Sequence, residues 1–296
     1  MLRVGLVAAV LSAGCFSTPS FHGQTSGDDG GDGGSCTPNN VDAAPAVVKT
    51  DAPESCTWRT PVTLEGSFSG EVSGQPTMDS AMTLMVWDYG PDGTTNALHW
   101  AEKSAQDTAW AVHDDALLDT GDNGADMDPT LNDAGDVLFF VSNQNSTPLT
   151  VYEAHHTNCG WDTPKPIETL TPIEDIFAID AIGEGNTLYV VNTGGVMYRL
   201  TRPDRATKFT VGPAIASGAR YPGVSPDELT VYQSETGTHG FDVYHRSSPT
   251  AAFPTMTSEP VLFGPPLEIS DAKILADGVH MLVTKNLVTA AMSTCQ

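Results

Sequence analysis

The sequence predicts an all-β fold, a β-propeller of about five blades. Three observations carry that expectation. After Trp58 no long amphipathic helix can be drawn, and short runs rich in β-branched and aromatic residues alternate with Gly, Pro, Asn and Asp clusters. Those runs recur: starts at Thr83, Val137, Thr187, Thr230 and His280 are spaced by about 50 residues, the period of a repeat that contributes several strands. Within each run the apolar residues are continuous rather than alternating, as expected where both faces of a sheet are buried between neighbouring blades.

Each repeat has internal order. The strongest runs are 82–87, 137–142, 187–191, 230–233 and 280–283. Pro76-Thr77-Met78-Asp79 and Pro129-Thr130-Leu131-Asn132 precede the first two. A second short strand follows at Leu98-His99-Trp100, Val151-Tyr152-Glu153, Val196-Met197-Tyr198, Val243-Tyr244-His245 and Leu287-Val288-Thr289. A third element opens on an aromatic: Trp110, Trp161, Phe209 or Phe253. The fifth repeat lacks such an element. Trp58-Arg59-Thr60-Pro61-Val62-Thr63-Leu64 resembles Trp161-Asp162-Thr163-Pro164-Lys165-Pro166-Ile167, so the N-terminal strand is expected to complete the last blade and close the ring. Six blades is the alternative.

Residues 1–14 have the three parts of an export signal. Arg3 supplies positive charge, 4–11 are apolar, and Ser12-Ala13-Gly14 leads to Cys15. The apolar run is far below the roughly 20 residues that span a bilayer. Leu11-Ser12-Ala13-Gly14-Cys15 resembles a bacterial lipobox, although the leucine lies one position further from the Cys than usual. The resemblance implies cleavage before Cys15 and lipid attachment to it. The lipid would hold the protein on a membrane, with outer membrane or cell surface as the expected location. Residues 15–57 read as the lipidated Cys and a flexible acidic tether, with Gly27-Asp28-Asp29-Gly30-Gly31-Asp32-Gly33-Gly34 at its centre. As a coil, it spans roughly 35 Å on average. Residues 58–296 form the globular domain.

Formal net charge is −24, with 17% charged residues. Such a surface repels phosphate backbones, so nucleic acid is excluded as a partner. A protein or glycan ligand and a monomeric state are expected. Beyond Cys15 there are four cysteines: Cys36, Cys56, Cys159 and Cys295. An even number in an oxidising compartment suggests two disulfides. Ring closure brings Cys56 beside Cys295 and leaves Cys36 for Cys159.

The repeat Ser225-Pro226-Asp227-Glu228-Leu229-Thr230-Val231-Tyr232, with Phe241-Asp242-Val243-Tyr244 after it, resembles the WD-like propeller repeats of the periplasmic translocation protein TolB and of bacterial surface lipoproteins. Glu228 stands where that family usually has Gly. The resemblance implies a fold and a binding or scaffolding role rather than a reaction.

Asp79, Asp128, Asp180 and Asp271 lie near blade starts, where funnel carboxylates of a glycosidase-like propeller would sit. Their registers within the repeats disagree, so no catalytic residue is assigned and a glycan-active enzyme is the alternative function. No Gly-x-Ser-x-Gly elbow is present. His155 and His156 are adjacent and would face opposite sides of a strand. His239 and His245 fall in a turn and a strand. No metal site and no cofactor are expected. Structural calcium in the acid-rich stretch from Asp114 through Asp119, Asp122, Asp126 and Asp133 to Asp136 is the alternative to a solvated loop.

Overall fold

The computed structural model describes residues 57–64, 76–89, 97–104, 109–113, 118, 125–143, 148–157, 160–170, 173–234, 240–253, 261–262, 269–285 and 289–295. All belong to one compact unit. Residues 1–56, which include Cys15, Cys36 and Cys56, lie outside this set, as do Cys159, His239 and the acids Asp114, Asp119 and Asp122. No helix among the described residues is long and apolar enough to cross a membrane.

The architecture is a propeller of five sheets. Strand β1 (Val62–Thr63) comes first in the chain and belongs to the last blade. Blade 1 is β2 (Thr77–Met78), β3 (Leu84–Tyr89), β4 (Ala97–Glu102) and β5 (Ala111–His113). Blade 2 is β6 (Asp126–Leu131), β7 (Val137–Ser142) and β8 (Thr150–Thr157), with β9 (Gly160–Trp161) and β10 (Lys165–Pro166) both paired to β8. Blade 3 is β11 (Ile176–Ile182), β12 (Thr187–Asn192), β13 (Val196–Thr201) and β14 (Thr210–Ser217). Blade 4 is β15 (Pro222–Val224), β16 (Thr230–Ser234), β17 (Gly240–His245) and β18 (Val261–Leu262). Blade 5 is β19 (Ile269–Ile274), β20 (His280–Lys285) and β21 (Thr289–Thr294), completed by β1. Every pairing is antiparallel between neighbours.

The five repeat starts coincide with the second strands β3, β7, β12, β16 and β20. Closure follows the sequence expectation: Val62 pairs with Met292, Thr63 with Ala291, and Trp58 bridges Cys295. The second short strand of the fifth repeat differs from expectation. Read from the sequence as Leu287-Val288-Thr289, it spans Thr289–Thr294. That extension lets β21 pair with β20 on one edge and receive β1 on the other.

One tight turn recurs between the first and second strands of all five blades. Backbone N–H groups of Met82, Gly135, Gly185, Glu228 and Gly278 donate to the carbonyls of Asp79, Asn132, Ile182, Ser225 and Leu275. All five donor residues have positive φ: 56°, 71°, 79°, 62° and 69°. Three are Gly, which adopts that geometry without strain. Glu228 adopts it too, and its carboxylate ties blade 4 to blade 3. It accepts from Tyr189 Oη at 2.6 Å, Arg199 Nε at 2.6 Å and Arg199 Nη2 at 3.0 Å. Polar caps hold the turns: Asp79 accepts from Thr83 N and Leu84 N, Asn132 from Asp136 N and Val137 N, and Asp277 from Val279 N and His280 N.

A second device repeats at the outer edge. Lys103, His156, Arg202, Arg246 and Cys295 occupy one backbone position, each donating its N–H to the residue just before the second strand. Each meets the aromatic that opens the outer strand. Lys103 lies 4.9 Å from Trp110, Arg202 4.4 Å from Phe209 and Arg246 4.4 Å from Phe253. The His156 and Trp161 rings are 5.2 Å apart, and Cys295 is bridged by Trp58. Trp58 thus fills in blade 5 the place its relatives fill elsewhere.

Among the described residues four apolar clusters lie wedged between neighbouring blades. Alternate residues of one strand serve two of them: Leu188 and Val190 pack toward blade 2, Tyr189 and Val191 toward blade 4. Both faces of β12 are buried, which is why its sequence reads as an unbroken apolar run.

Candidate functional site

The inner strands β2, β6, β11, β15 and β19 line the central channel. Register defines one layer of it. Thr77, Thr130, Asp180, Gly223 and Lys273 pair with Val86, Phe139, Tyr189, Tyr232 and Leu282, which are equivalent positions in five blades. Three of these side chains reach the next blade's backbone. Thr77 Oγ1 accepts from Leu131 N at 2.9 Å, Thr130 Oγ1 from Ala181 N at 3.0 Å, and Asp180 Oδ2 from Val224 N at 2.7 Å. At Gly223 the backbones touch directly, since a Cβ there would lie 2.4 Å from the carbonyl oxygen of Ala272. Lys273 returns across the channel. Its Nζ donates to Asp180 Oδ1 at 2.5 Å, Ala181 O at 2.7 Å and Thr130 Oγ1 at 3.1 Å. Burial pushes the Asp180 carboxyl up, and Lys273 opposes that shift by supplying charge and a hydrogen bond. This layer plugs the channel.

Two residues earlier on the same strands lies the mouth. There the residues are Asp128, Ala178, Tyr221 and Asp271. Asp128 and Asp271 sit at register shifts in β6 and β19, with left-handed φ of 53° and 51°. A β-bulge of this kind turns a side chain away from the regular pleat. Asp88, on β3 of blade 1, joins them electrostatically. All three carboxylates are buried, and Asp128 is 4% exposed. Asp128 Oδ2 accepts from Ile179 N, while its Oδ1 has no hydrogen-bond partner among the described residues. Burial first, and then the charges of Asp88, Asp271 and Asp180, hold the Asp128 carboxyl well above the ordinary range. Burial, reinforced by Asp128, Asp271 and Asp88, pushes the Tyr221 phenol up to about 12.

A cleft of about 530 Å³ opens beside the mouth. Its walls are Phe177, Arg220 and Tyr221, with the rim made of 193–195 and 218–219, rich in Gly. Phe177 and Tyr221 meet edge to face, their centroids 5.5 Å apart. That volume lies within the usual range of small-ligand pockets, roughly 300–1,000 Å³. Tyr221 belongs to both the cleft and the acidic mouth.

The four blade-start aspartates therefore divide by role. Asp79 caps a turn. Asp180 is locked in the plug. Asp128 and Asp271 share one register, each nine residues before the start of its second strand (Val137 and His280), which corrects the sequence reading that all four disagree. Asp88, Tyr221 and Lys273 were not singled out from the sequence. The one available signal was Lys273, a cation inside an otherwise apolar inner-strand segment, Ala272-Lys273-Ile274. His155 and His156 diverge. His155 lies between Glu153 (2.9 Å) and Asp162 (3.4 Å), whereas His156 packs on Trp161. His245 shares a hydrogen bond with Thr230. No group of three or more metal-competent side chains occurs among the described residues.

Chemically, the mouth offers a buried acid with a raised pKa beside further carboxylates, next to a cleft walled by Phe177, Tyr221 and Arg220. That arrangement suits either proton transfer or the seating of a positively charged group.

No family model matches the chain, and no curated protein matches it. Solved structures do resemble it. The catalytic domain of the GH62 α-L-arabinofuranosidase of Coprinopsis cinerea is similar at a TM-score of 0.50 and 10% identity, over 82% of this chain and 98% of that one. TolB of Acinetobacter baumannii gives 0.43 and 12% over 75% of this chain and 54% of that one. The Swd1 β-propeller domain of Myceliophteria thermophila gives 0.40 and 10% over 72% and 66%. The chain thus spans less than two thirds of either of the last two. At these identities the likeness is one of fold, and the five blades described above make that fold a β-propeller.

Proposed function

We propose that the chain is an envelope lipoprotein held by Cys15, with residues 16–57 as its tether and the propeller of 58–296 as a binding module. Its ligand site is the channel mouth and adjoining cleft. The observation that carries the reading is the meeting of the 530 Å³ cleft with the carboxylate mouth at Tyr221. The test is titration of the mature chain against a panel of glycans, comparing wild type with Tyr221→Ala. A ligand whose affinity is indifferent to Tyr221 overturns this site. Mass spectrometry of the mature N-terminus tests the anchor; an unmodified Cys15 overturns it.

A specific observation also favours a second reading, a glycan-active enzyme. Burial and the charges of Asp88 and Asp271 raise the Asp128 carboxyl well above its ordinary range, the direction a general acid beside a base requires. Turnover on the same panel, abolished by Asp128→Asn, would establish it.

The proposed seam disulfide joins Cys56 to Cys295, leaving Cys36 for Cys159. In its support, Cys295 is disulfide-bonded and bridges Trp58, which stands two residues after Cys56 in the chain. A loop of that length stabilises by on the order of 5 kcal/mol in chain-entropy terms. A peptide map of the unreduced protein joining Cys295 to Cys36 or Cys159 overturns the pairing. The overall charge of −24 supports excluding nucleic acid.

A further inference from the structure

The outer strand of blade 2 is in two pieces. Both β9 and β10 pair with β8, and the chain leaves the ladder between them. The outer strand of blade 3, by contrast, runs unbroken from Thr210 to Ser217. In the gap a side chain stands in for the ladder. Asp162 N donates to the carbonyl of His155 at 2.9 Å, and Asp162 Oδ1 accepts from His155 N at 2.7 Å, in place of a strand carbonyl. The other oxygen of that carboxylate, Oδ2, lies 3.4 Å from His155 Nδ1, while Glu153 Oε1 lies 2.9 Å from Nε2.

Both ring nitrogens of His155 therefore face carboxylates. A neutral imidazole has one N–H and one lone pair, so it satisfies one carboxylate and turns a lone pair on the other; only the imidazolium donates to both. Glu153 is anchored independently from blade 3, where Arg202 donates Nη1 to Oε2 at 2.8 Å and Nη2 to Oε1 at 2.7 Å. The neutral ring keeps its N–H on the nearer Glu153, so loss of the proton falls on Asp162. The remaining surroundings do not replace it. Opposite His155 and Glu153, β7 places the apolar Val137 and Phe139, and β10 places an exposed Lys165 opposite Glu153. Asp136, just before β7, is paired with Arg205 at 2.6 Å. The Glu153 hydrogen bond pushes the His155 pKa up, whereas burial pushes that of His156, which packs on Trp161, down.

We propose that the break in the outer strand of blade 2 is a proton-operated latch: the His155 imidazolium pins Asp162, and with it residues 160–166, to β8, and loss of the proton releases that edge. The sign follows from linkage. A His whose folded pKa is raised contributes stability that is fully present below its unfolded value of about 6.5 and is lost as pH rises through the folded value. The edge is closed in mild acid and opens above the His155 titration, while the Arg202–Glu153 pair continues to join blades 2 and 3.

The test is NMR of the full chain from about pH 5 to about pH 9, following the His155 ring and amide-exchange protection factors, which remove the intrinsic pH dependence of exchange. The His155 ring should titrate above the ordinary value, and Asp162→Asn should lower its midpoint. Protection of the His155 and Asp162 amides should fall by about threefold or more across that titration, while Phe139 in β7 holds its own. In His155→Gln the protection of the position-155 and Asp162 amides should be independent of pH over this range, whereas His156→Gln should keep the wild-type response. Where a variant fails to fold, the wild-type titration decides. A His155 midpoint at or below the ordinary value overturns the latch, as does constant protection at Asp162. An equal fall at Phe139 would make the effect one of overall stability and overturn it too. Persistence of the response in His155→Gln, or its loss in His156→Gln, would place the proton elsewhere.

Discussion

At the level of Thr77, Thr130, Asp180 and Lys273, polar side chains meet partners from other blades: a backbone N–H, a hydroxyl, an ammonium. Two residues toward the mouth, Asp128 lies in the repulsive field of Asp88 and Asp271. The lower layer has the chemistry of a structural bolt. Its charges are matched, and its hydrogen bonds cross from blade to blade, so it holds the ring from inside. The upper layer keeps a repulsion that a purely structural site would be expected to remove. Buried like charges cost stability, and they persist where something else makes use of them.

The largest expected effect falls on the bolt. Lys273→Met leaves the Asp180 carboxylate buried without its cation, and urea denaturation should show a loss of about 3–5 kcal/mol. Adding Asp180→Asn should restore much of that loss; if the double variant is no better than the single one, the pair is not acting as a matched unit. Gly223→Ala is next. Its Cβ would meet the Ala272 carbonyl oxygen at 2.4 Å, so blades 4 and 5 must part, at a cost of about 1–3 kcal/mol. Thr77→Val keeps the shape but removes the acceptor for Leu131 N, and should cost about 1–2 kcal/mol through a buried unsatisfied donor.

The mouth should behave in the opposite sense. The folded-state pKa of Asp128 lies above its unfolded value, so the folded protein holds the proton more tightly. Its contribution to stability is present below the unfolded value near 3.9 and is lost as pH rises through the raised folded value. Asp128→Asn removes that loss while keeping an oxygen for Ile179 N. Thermal melts of the variant should match wild type in acid and exceed it by a few degrees, about 2–4 °C per kcal/mol, once Asp128 would have ionised. A variant that melts lower at neutral pH would show that the Asp128 charge is structural and would erase the contrast between the two layers.

Much of the fold was legible in the chain because it rests on local patterns repeated five times. The second strands announced themselves as apolar runs, since each is buried on both faces. The first-to-second-strand turns carried Gly and Asp where a positive φ and a cap are required. Even closure could be read, because Trp58 imitates Trp161 and its neighbours. The site was less legible. Asp128 and Asp271 each stand nine residues before a second-strand start, so their equivalence was open to a count of spacing, whereas the bulges that turn their side chains out of the pleat left no such mark. Asp88 sits on a second strand, where the pattern gives no reason to look for a channel group. Tyr221 reads as one more aromatic among seven tyrosines.

The sequence by itself determined the propeller class, the strand order within a repeat and the strand that closes the ring, because period, patterning and turn chemistry act within about 50 residues, while five blades against six was left to the structure. Only the tertiary structure decided which charges face each other. Lys273 meets Asp180 across 93 residues of chain, and the mouth gathers acids from blades 1, 2 and 5. Such meetings depend on how far each inner strand is shifted as the ring closes, and a single inserted residue in a bulge changes that shift without leaving a mark in the hydrophobic pattern.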